Sequence, residues 1–332
     1  MHPDVESPRE YETKGVQIME ISRRDFLKAS AAIAAALGLT ASGLVKLQKV
    51  MAAESGQAVV WLQGQGCTGC STSLLNSIYY TTIDDLLLNT IDLDYHPTVM
   101  AAAGDLAVSA AESAYNKGGY VLVVEGAIPT AEGGRYCYLW PGMTALDGVK
   151  TFSHKAAFVL AVGTCAAYGG IPGGRPNPTR AKGVSEVIGG DRVINIPGCP
   201  AHPDWIVGTI AYLLANGAAP QLDSDGRPRD YYRHTIHSNC PNRQKFNERG
   251  IFAKELSELA CLHKLGCNGQ QTNADCPVRK WNSPGQGEYG VNWCIGARSP
   301  CQGCTDPGFP DSVSPFYTLE EALTEQGMLL RR

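Results

Sequence analysis

The sequence predicts an α/β protein in which a domain built on a parallel sheet is followed by a mostly irregular second domain. Two observations support this prediction. From residue 58 to about residue 216, short apolar runs alternate with longer mixed segments, as strands alternate with helices around a parallel sheet. After Pro220 the apolar periodicity fades, and Pro, Gly, Asn and Cys become frequent through Pro310. We therefore place a domain boundary between residues 219 and 220.

The first domain, residues 53–219, is expected to be flavodoxin-like or Rossmann-like. Its predicted strands are 58–62, 120–124, 156–162 and 193–196. Helices of suitable length and spacing are predicted between them, over 73–88, 105–116 and 204–216. In the second domain, residues 220–332, one short helical stretch is predicted over 252–262. A domain with so little regular structure buries too little apolar surface to offset its loss of chain entropy. We therefore expect it to need additional cross-links.

Composition limits the classes of function. The chain has 332 residues, of which 44% are apolar, enough for a proper core and for about two domains. The net charge is −4 at pH 7 and the pI is near 6.0, so no broad basic field is present to attract a phosphate backbone. We therefore exclude nucleic acid as a partner.

Residues 1–52 are predicted to be a cleaved export signal. The run S-R-R-D-F-L-K at 22–28 precedes an uncharged, Ala-rich stretch at 29–45 and a small-residue pattern at 50–52 suited to cleavage. This resembles a twin-arginine signal, which exports proteins after they fold and acquire cofactors. The stretch is shorter than the roughly 20 apolar residues that span a bilayer. We expect a periplasmic protein without a transmembrane anchor.

A first group of cysteines follows three of the predicted strands. Cys67 and Cys70 form a C-x2-C pair after the first strand, Cys165 follows the third strand, and Cys199 follows the fourth. Cofactors bind beyond the carboxyl ends of parallel strands, so four thiolates are expected to meet at one edge of the sheet. A C-x2-C pair alone fits a redox disulfide, zinc or an iron–sulfur cluster. Two further cysteines at this edge favour a four-thiolate site over scattered buried thiols.

A second group combines one imidazole with three thiolates. It consists of His237, Cys240, Cys261 and Cys267. Zinc would accept this set as well as an iron–sulfur cluster would. His234, three residues before His237, competes for the histidine role.

A third group offers three or four thiolates, from Cys276, Cys294, Cys301 and Cys304. All of the twelve cysteines except Cys137, together with His237, supply twelve ligands, which divide into three sites of four. Three of these cysteines precede proline, as in the endings of ferredoxin motifs. Six disulfides are the alternative, but the C-x2-C pairs would form strained, reducible bridges. Cys137 is expected to be a free buried thiol.

These motifs resemble the small subunits of nickel–iron hydrogenases, over nearly the whole chain from the export signal to Tyr317. The runs G-C-T-G-C at 66–70, V-E-G-A-I-P at 124–129 and G-T-C-A at 163–166 all read as family sequence. The resemblance implies three iron–sulfur clusters. It assigns a proximal site to Cys67, Cys70, Cys165 and Cys199, a medial site to Cys276, Cys294, Cys301 and Cys304, and a distal site to His237, Cys240, Cys261 and Cys267.

Cys294 departs from the pattern of most family members, which have proline there and a three-iron medial cluster. A fourth thiolate would let the medial site keep a fourth iron, as in the subclass whose large subunit has selenocysteine at nickel. We therefore expect 4Fe-4S clusters at all three sites, with a medial 3Fe-4S cluster and a merely packed Cys294 as the alternative. Gly69 stands where oxygen-tolerant relatives have another cysteine, so their modified proximal cluster is not expected.

The implied function is electron transfer for a hydrogenase. Dihydrogen would be oxidised at a nickel–iron centre in a separate large subunit, and electrons would pass through the three clusters to a multihaem c-type cytochrome. The resemblance places Thr68 toward the proton path of the large subunit. Glu125 stands at a strand end, where either a place in the same crevice or an ordinary helix-capping or surface role is expected. The alternatives are a single-cluster subunit like that of respiratory complex I, a zinc-stabilised protein, and a disulfide-stapled binding protein.

Overall fold

The computed structural model describes residues 56–247, 250–285 and 287–313, so the predicted export signal lies outside the described residues. The strands are β1 Gln57–Gln63, β2 Ile91–Tyr95, β3 Val121–Glu125, β4 Ile128–Pro129, β5 Tyr138–Trp140, β6 Met143–Thr144, β7 Phe158–Val162, β8 Ala181–Lys182 and β9 Val193–Ile196. The α-helices are α1 Gly69–Leu75, α2 Ile83–Asp85, α3 Asp105–Lys117, α4 Ala145–Ser153, α5 Thr164–Tyr168, α6 Gly170–Gly173, α7 Val184–Ile188, α8 Pro203–Asn216, α9 Arg229–Tyr232, α10 Arg243–Asn247 and α11 Cys276–Arg279. A π-helical turn spans Leu86–Thr90, and 3-10 turns span Ala131–Gly134, Gly190–Arg192, Ile236–Asn239 and Leu262–Leu265.

The first domain is built on one parallel sheet of five strands in the order β2-β1-β3-β7-β9. This is the doubly wound, flavodoxin-like order, and it confirms the predicted fold class. The β3 sequence V-L-V-V-E is buried at every position, and β7 at all but its first. Strands covered on both faces read as continuous apolar runs, which is why the sequence identified them.

Two clusters of buried side chains cover the two faces of the sheet. One face packs on α3 and α4, through residues such as Ala111, Val149 and Phe152. The other face packs on α8, and its cluster continues without interruption from Trp205 into the second domain at Ile236, Leu262 and Trp293. The predicted boundary at 219/220 stays a prediction, and the chain on both sides of it shares this cluster.

Two predicted helices are wrong. The predicted helix over 73–88 ends at Leu75, where Asn76 caps it, and the chain resumes helical turns only at Ile83. Between them the aromatic and β-branched run 78–82 carries buried Tyr80 and Thr81 side chains. The predicted helix over 252–262 is a loop, because the Ala253 amide bonds the Cys261 carbonyl at 2.9 Å instead of bonding along a helix.

The sequence prediction missed several elements, among them the sheet strand β2 and the helix α4, which packs on the sheet. β2 is an edge strand whose sequence I-D-L-D-Y alternates apolar with acidic residues. α4 begins after Thr144, whose hydroxyl accepts a hydrogen bond from the Asp147 amide as a helix N-cap. The predictions over 105–116, 193–196 and 204–216 match α3, β9 and α8.

Candidate iron–sulfur centres

The cysteines of the proximal site lie at the carboxyl end of the parallel sheet. Cys67 follows β1 and Cys70 lies in α1, while Cys165 lies in α5 after β7 and Cys199 follows β9. Burial raises the pKa of the Cys70 thiol well above its ordinary value, and Glu125, Cys165 and Cys199 raise it further through their charges. Cys67 and Cys199 likewise raise the pKa of Cys165, which burial brings to about 11. The structure therefore places these four cysteines close to one another.

The turn between β7 and α5 passes close to one of these sulfurs. Gly163 has φ +85°, and a Cβ added there would lie 2.5 Å from Cys70 Sγ. Only glycine allows both this backbone conformation and this approach. A glycine before Cys165 is therefore required by the geometry of the proximal site.

Glu125 ends β3, between the strands that carry the proximal cysteines, and it is only 2% exposed. Its carboxylate accepts hydrogen bonds from the amides of Cys70 at 2.9 Å and Ser71 at 3.2 Å, from Trp61 Nε1 at 3.1 Å, and from the Ser71 hydroxyl. These donors satisfy a buried carboxylate and hold the first turn of α1. Of the roles considered for Glu125, the structure shows a buried helix cap beside the proximal site.

His96 extends this network and was missed by the sequence analysis. Its side chain is buried, and its Nδ1 accepts hydrogen bonds from the amides of Thr98 at 3.2 Å and Val99 at 3.3 Å. Burial lowers the pKa of His96 to about 4, so the ring is neutral near pH 7. With Nδ1 accepting, Nε2 carries the proton and donates to the Ser71 hydroxyl 3.2 Å away, which in turn donates to Glu125. His96 directly follows β2, so the only indication in the sequence would have been its place at the end of that strand.

Thr68 lies between the two cysteines of the C-x2-C pair, in a left-handed backbone conformation with φ 64°. Its hydroxyl accepts a hydrogen bond from Gln63 Nε2 at 2.7 Å. Cys67 and Cys199 are both exposed, so this end of the proximal site opens to the surface. The expectation that Thr68 faces a partner stays a prediction.

The cysteines of the medial site meet beyond the sheet, in the second domain. Cys276 begins α11, and the other three lie in loops. Burial raises the pKa of Cys276 well above its ordinary value, and Cys304, Cys301 and Cys294 are among the neighbours that raise it further. Burial also raises the pKa of the Cys294 thiol, although the residue as a whole is exposed. The Cys294 thiol is thus turned inward, and it is near enough to Cys276, Cys301 and Cys304 to raise the pKa of each.

The residues of the distal site line one cavity. His237, Cys240, Cys261 and Cys267 face it together with Phe246, whose ring lies 5.0 Å from the His237 ring. Burial raises the pKa of Cys240, and Cys267 and Cys261 raise it further.

His234 is the competing histidine, and it does not line the distal cavity. It is exposed, and its Nε2 accepts a hydrogen bond from Arg233 Nε at 3.2 Å. The structure thus places His237, and not His234, with the three distal cysteines.

Interactions between residues of neighbouring sites give the order of the three sites along the molecule. The Cys304 sulfur accepts a hydrogen bond from the backbone of Cys199, and the Cys304 carbonyl accepts one from the Thr164 hydroxyl, next to Cys165. At the other side of the medial site, Cys267 is close enough to raise the pKa of both Cys301 and Cys294. The medial site therefore lies between the proximal and distal sites.

The chemistry of these sites fits a cationic cluster. Burial raises the pKa of Cys304 to about 12, so without a cation the buried thiols would hold their protons. All twelve cysteines fall within the described residues, and none of them forms a disulfide there. Within the described part of the chain, no three or more His, Cys, Asp or Glu side chains are grouped to hold a single metal ion. A four-iron cluster is instead ligated at separate corners.

Cys137 lies outside these groups. Its side chain is partly buried, burial raises the pKa of its thiol, and it forms no disulfide. The thiol is thus free, as predicted, but only partly buried.

Comparison with known proteins identifies the family. A model described as the C-terminal part of the NiFe/NiFeSe hydrogenase small subunit matches residues 232–317, and one for the NADH ubiquinone oxidoreductase 20 kDa subunit matches residues 67–213. The chain is 39% identical over 324 residues to the periplasmic NiFeSe hydrogenase small subunit of Desulfomicrobium baculatum, covering 91% of this chain and 100% of that one. The chain belongs to the family of nickel–iron hydrogenase small subunits.

Other relatives in this hydrogenase family agree in sequence and structure. The periplasmic NiFe hydrogenase small subunit of Solidesulfovibrio fructosivorans is 41% identical, covering 90% of this chain and 93% of that one. The oxidised NiFeSe hydrogenase structure from Desulfovibrio vulgaris Hildenborough matches with a TM-score of 0.73 and 43% identity, covering 81% of this chain and 99% of that one. The chain is thus a subunit of an oxidoreductase.

The export signal is also matched. Residues 20–40 fit a model of the twin-arginine translocation pathway signal sequence, which confirms the prediction of export to the periplasm. Among the helices in the described ranges, none has the length and apolar character needed to cross a bilayer.

Proposed function

We propose that this hydrogenase small subunit holds three 4Fe-4S clusters and relays electrons from a large subunit to a multihaem c-type cytochrome. When bound, the clusters supply one-electron carriers. The observation that supports this most is the order of the three four-ligand groups. The medial site contacts the proximal site at Cys304 and Cys199, and it neighbours the distal site at Cys267.

The proposed ligands follow the groups that the structure brings together. They are Cys67, Cys70, Cys165 and Cys199 for the proximal cluster, Cys276, Cys294, Cys301 and Cys304 for the medial cluster, and His237, Cys240, Cys261 and Cys267 for the distal cluster. The inward thiol of Cys294 supports a medial 4Fe-4S cluster over the 3Fe-4S alternative. Histidine is neutral where cysteinate is charged, so His237 raises the potential of the distal cluster.

The surrounding residues hold and insulate these sites. Burial of the Cys276, Cys301 and Cys304 thiols limits the access of water to the middle of the relay. The exposed Cys67 and Cys199 leave the proximal end accessible. We propose that this exposed end is covered by the large subunit, because electrons from dihydrogen must enter there. The partly exposed His237 at the distal end supports exit to the cytochrome.

The test is electron paramagnetic resonance on the purified, air-oxidised complex, paired with iron and acid-labile sulfide analysis. About 13 iron atoms, of which about 12 belong to this subunit and one to the nickel–iron centre, without a strong oxidised three-iron signal would support three 4Fe-4S clusters. About 12 iron atoms in total with that signal would make Cys294 a bystander. A complex without iron would overturn the proposed relay.

A further inference from the structure

The segment around the distal site differs in charge from the rest of the chain. Residues 233–267 contain six Lys or Arg and three Asp or Glu, a net charge of +3. The whole chain has a net charge of −4, so the remaining residues carry −7. The basic charge is therefore concentrated where electrons would leave the protein.

Three of these basic side chains lie around the distal cavity. Arg243 donates to the carbonyl of Ser238, the residue after His237, at 3.2 Å. Lys245 Nζ donates to the Leu259 carbonyl at 2.8 Å, and the Lys264 ammonium lies 4.9 Å from the centre of the Phe252 ring. Among the described residues, none of these three cations forms an ion pair with a carboxylate.

Apolar side chains are exposed within the same region. Leu259 is 68% exposed, Leu256 is 50% exposed and Ile251 is 42% exposed. Leu259 accepts the Lys245 hydrogen bond, so apolar and basic groups are neighbours. We call this region, formed by Ile251, Leu256, Leu259, Arg243, Lys245 and Lys264, the exit surface. An apolar patch with a charged rim is typical of a protein interface.

Glu255 and Glu258 are the two acidic residues of the segment that the structure describes, and neither pairs with this rim. Glu258 accepts a hydrogen bond from the Lys254 amide at 2.7 Å, and Glu255 accepts one from the Ser257 hydroxyl at 3.0 Å. Both carboxylates are thus bonded within their own loop. The basic groups closest to the distal cavity remain available to a partner.

We propose that the exit surface docks a redox protein that presents an acidic face around its own redox centre. This inference rests on the proposed electron relay, since only a distal exit makes the surface useful for electron transfer. Opposite charge on the two partners steers their encounter and speeds association, while the exposed leucines provide contact once the partners meet. Short-lived redox complexes use small interfaces of this kind.

The test uses the purified heterodimer with two c-type cytochromes of similar size, one acidic and one basic. Binding is measured by surface plasmon resonance, and dihydrogen-driven haem reduction by stopped flow, over a series of salt concentrations. We expect the acidic cytochrome to bind more tightly and to be reduced faster, with a second-order rate constant that falls at least tenfold from low to high salt.

Charge-reversal variants test whether the exit surface is where the cytochrome binds. Arg243→Glu and Lys264→Glu should each weaken binding of the acidic cytochrome several-fold at low salt and leave little effect at high salt. Lys150→Glu is the matched control, because Lys150 is exposed on α4, which packs on the sheet face opposite the second domain. A melting curve for each variant shows whether the fold is retained.

Reduction of a neutral dye by dihydrogen requires the electron relay but not a charged docking surface. It therefore tests the proposed function separately from this inference. If dihydrogen reduces the dye but the basic cytochrome is preferred, or if salt has no effect, the docking proposal is wrong and the relay stands. If the exit surface binds anionic lipid vesicles and not the acidic cytochrome, the docking proposal is also overturned. If the dye is not reduced, the relay itself fails.

Discussion

Arg279 donates a hydrogen bond to Asp204 across 3.1 Å, and both side chains are buried. Asp204 lies in the first turn of α8, in the first domain, whereas Arg279 ends α11, which begins at Cys276. Arg279 also bonds Asp275 at 2.8 Å, directly before Cys276. The guanidinium therefore joins the sheet domain to the helix that carries a medial cysteine.

The first prediction follows from this ion pair. Arg279→Met leaves the buried Asp204 and the partly buried Asp275 without their cation, and loss of one partner from a buried pair costs about 3–5 kcal/mol. We expect the melting temperature of the heterodimer to fall by roughly 10 °C, measured by scanning calorimetry. Arg135→Met is the control, because the Arg135–Glu132 pair is exposed and should contribute less than about 1 kcal/mol. Equal melting temperatures for the two variants would contradict the role of Arg279.

The second prediction concerns the fourth medial thiol. Cys294→Ala should lower the iron content by about one atom per heterodimer and produce an oxidised three-iron signal in electron paramagnetic resonance. Cys137→Ala is the control, since Cys137 belongs to none of the three groups, and it should leave both measurements unchanged. An unaltered spectrum for Cys294→Ala would show that the medial cluster does not use this thiol.

The third prediction concerns the carboxylate beside the proximal site. Glu125→Gln removes negative charge next to Cys70, which stabilises the reduced cluster, so the proximal midpoint potential should rise by on the order of tens of millivolts. A redox titration followed by electron paramagnetic resonance measures this shift. Glu132→Gln, on the exposed 3-10 turn, should leave the potential unchanged. A potential that stays constant or falls in Glu125→Gln would refute the argument.

The fourth prediction is a pH dependence caused by His202. Its Nδ1 accepts the Asp204 amide at 3.1 Å, and its Nε2 donates to the Lys280 carbonyl at 2.6 Å. Burial lowers the pKa of His202 to about 3, opposed by the Lys280 contact and assisted by Arg279. Below about pH 6.5 the unfolded chain takes up a proton that the folded chain does not, so stability is lost as pH falls toward 3.

His202→Asn tests this assignment, because asparagine also caps a helix but does not titrate. Burial raises the pKa of Asp204 to about 6, and its protonation in the folded state acts in the opposite direction, so the variant and the wild type must be compared. Between pH 7.5 and 5.5 the wild type should lose about 1 kcal/mol more stability than His202→Asn, measured by denaturant unfolding. Parallel pH profiles would exclude His202 as the cause.

The sequence predicted those parts of the fold that depend on local pattern. β7 is a continuous apolar run, β3 is apolar up to its final Glu125, and β9 is interrupted only by Asn195. Such runs have few alternatives to a buried strand. The edge strand β2 was missed because Asp92 and Asp94 interrupt its apolar residues, so it has no continuous apolar run. The helix over 73–88 was mispredicted because the backbone there follows the burial of Tyr80 and Thr81, which depends on contacts with other elements.

The candidate sites were likewise predictable only in part. The cysteine spacing predicted three groups of ligands, because the ligands of a cluster often lie in short motifs, at strand ends and in tight loops. The support of Glu125 by Ser71 and His96 was not predictable. These contacts join residues 54 and 25 positions apart, and nothing in the sequence pairs them.

The buried cluster that runs from Trp205 in the first domain to Trp293 in the second has a consequence for maturation. With one interior shared by both domains, cluster insertion at any site stabilises the whole molecule, as ligand binding stabilises a folded state. A chain that lacks one cluster would lose stability throughout the molecule rather than at one site. Since the twin-arginine pathway transports folded proteins, this shared interior would let the cell reject incompletely assembled subunits before export.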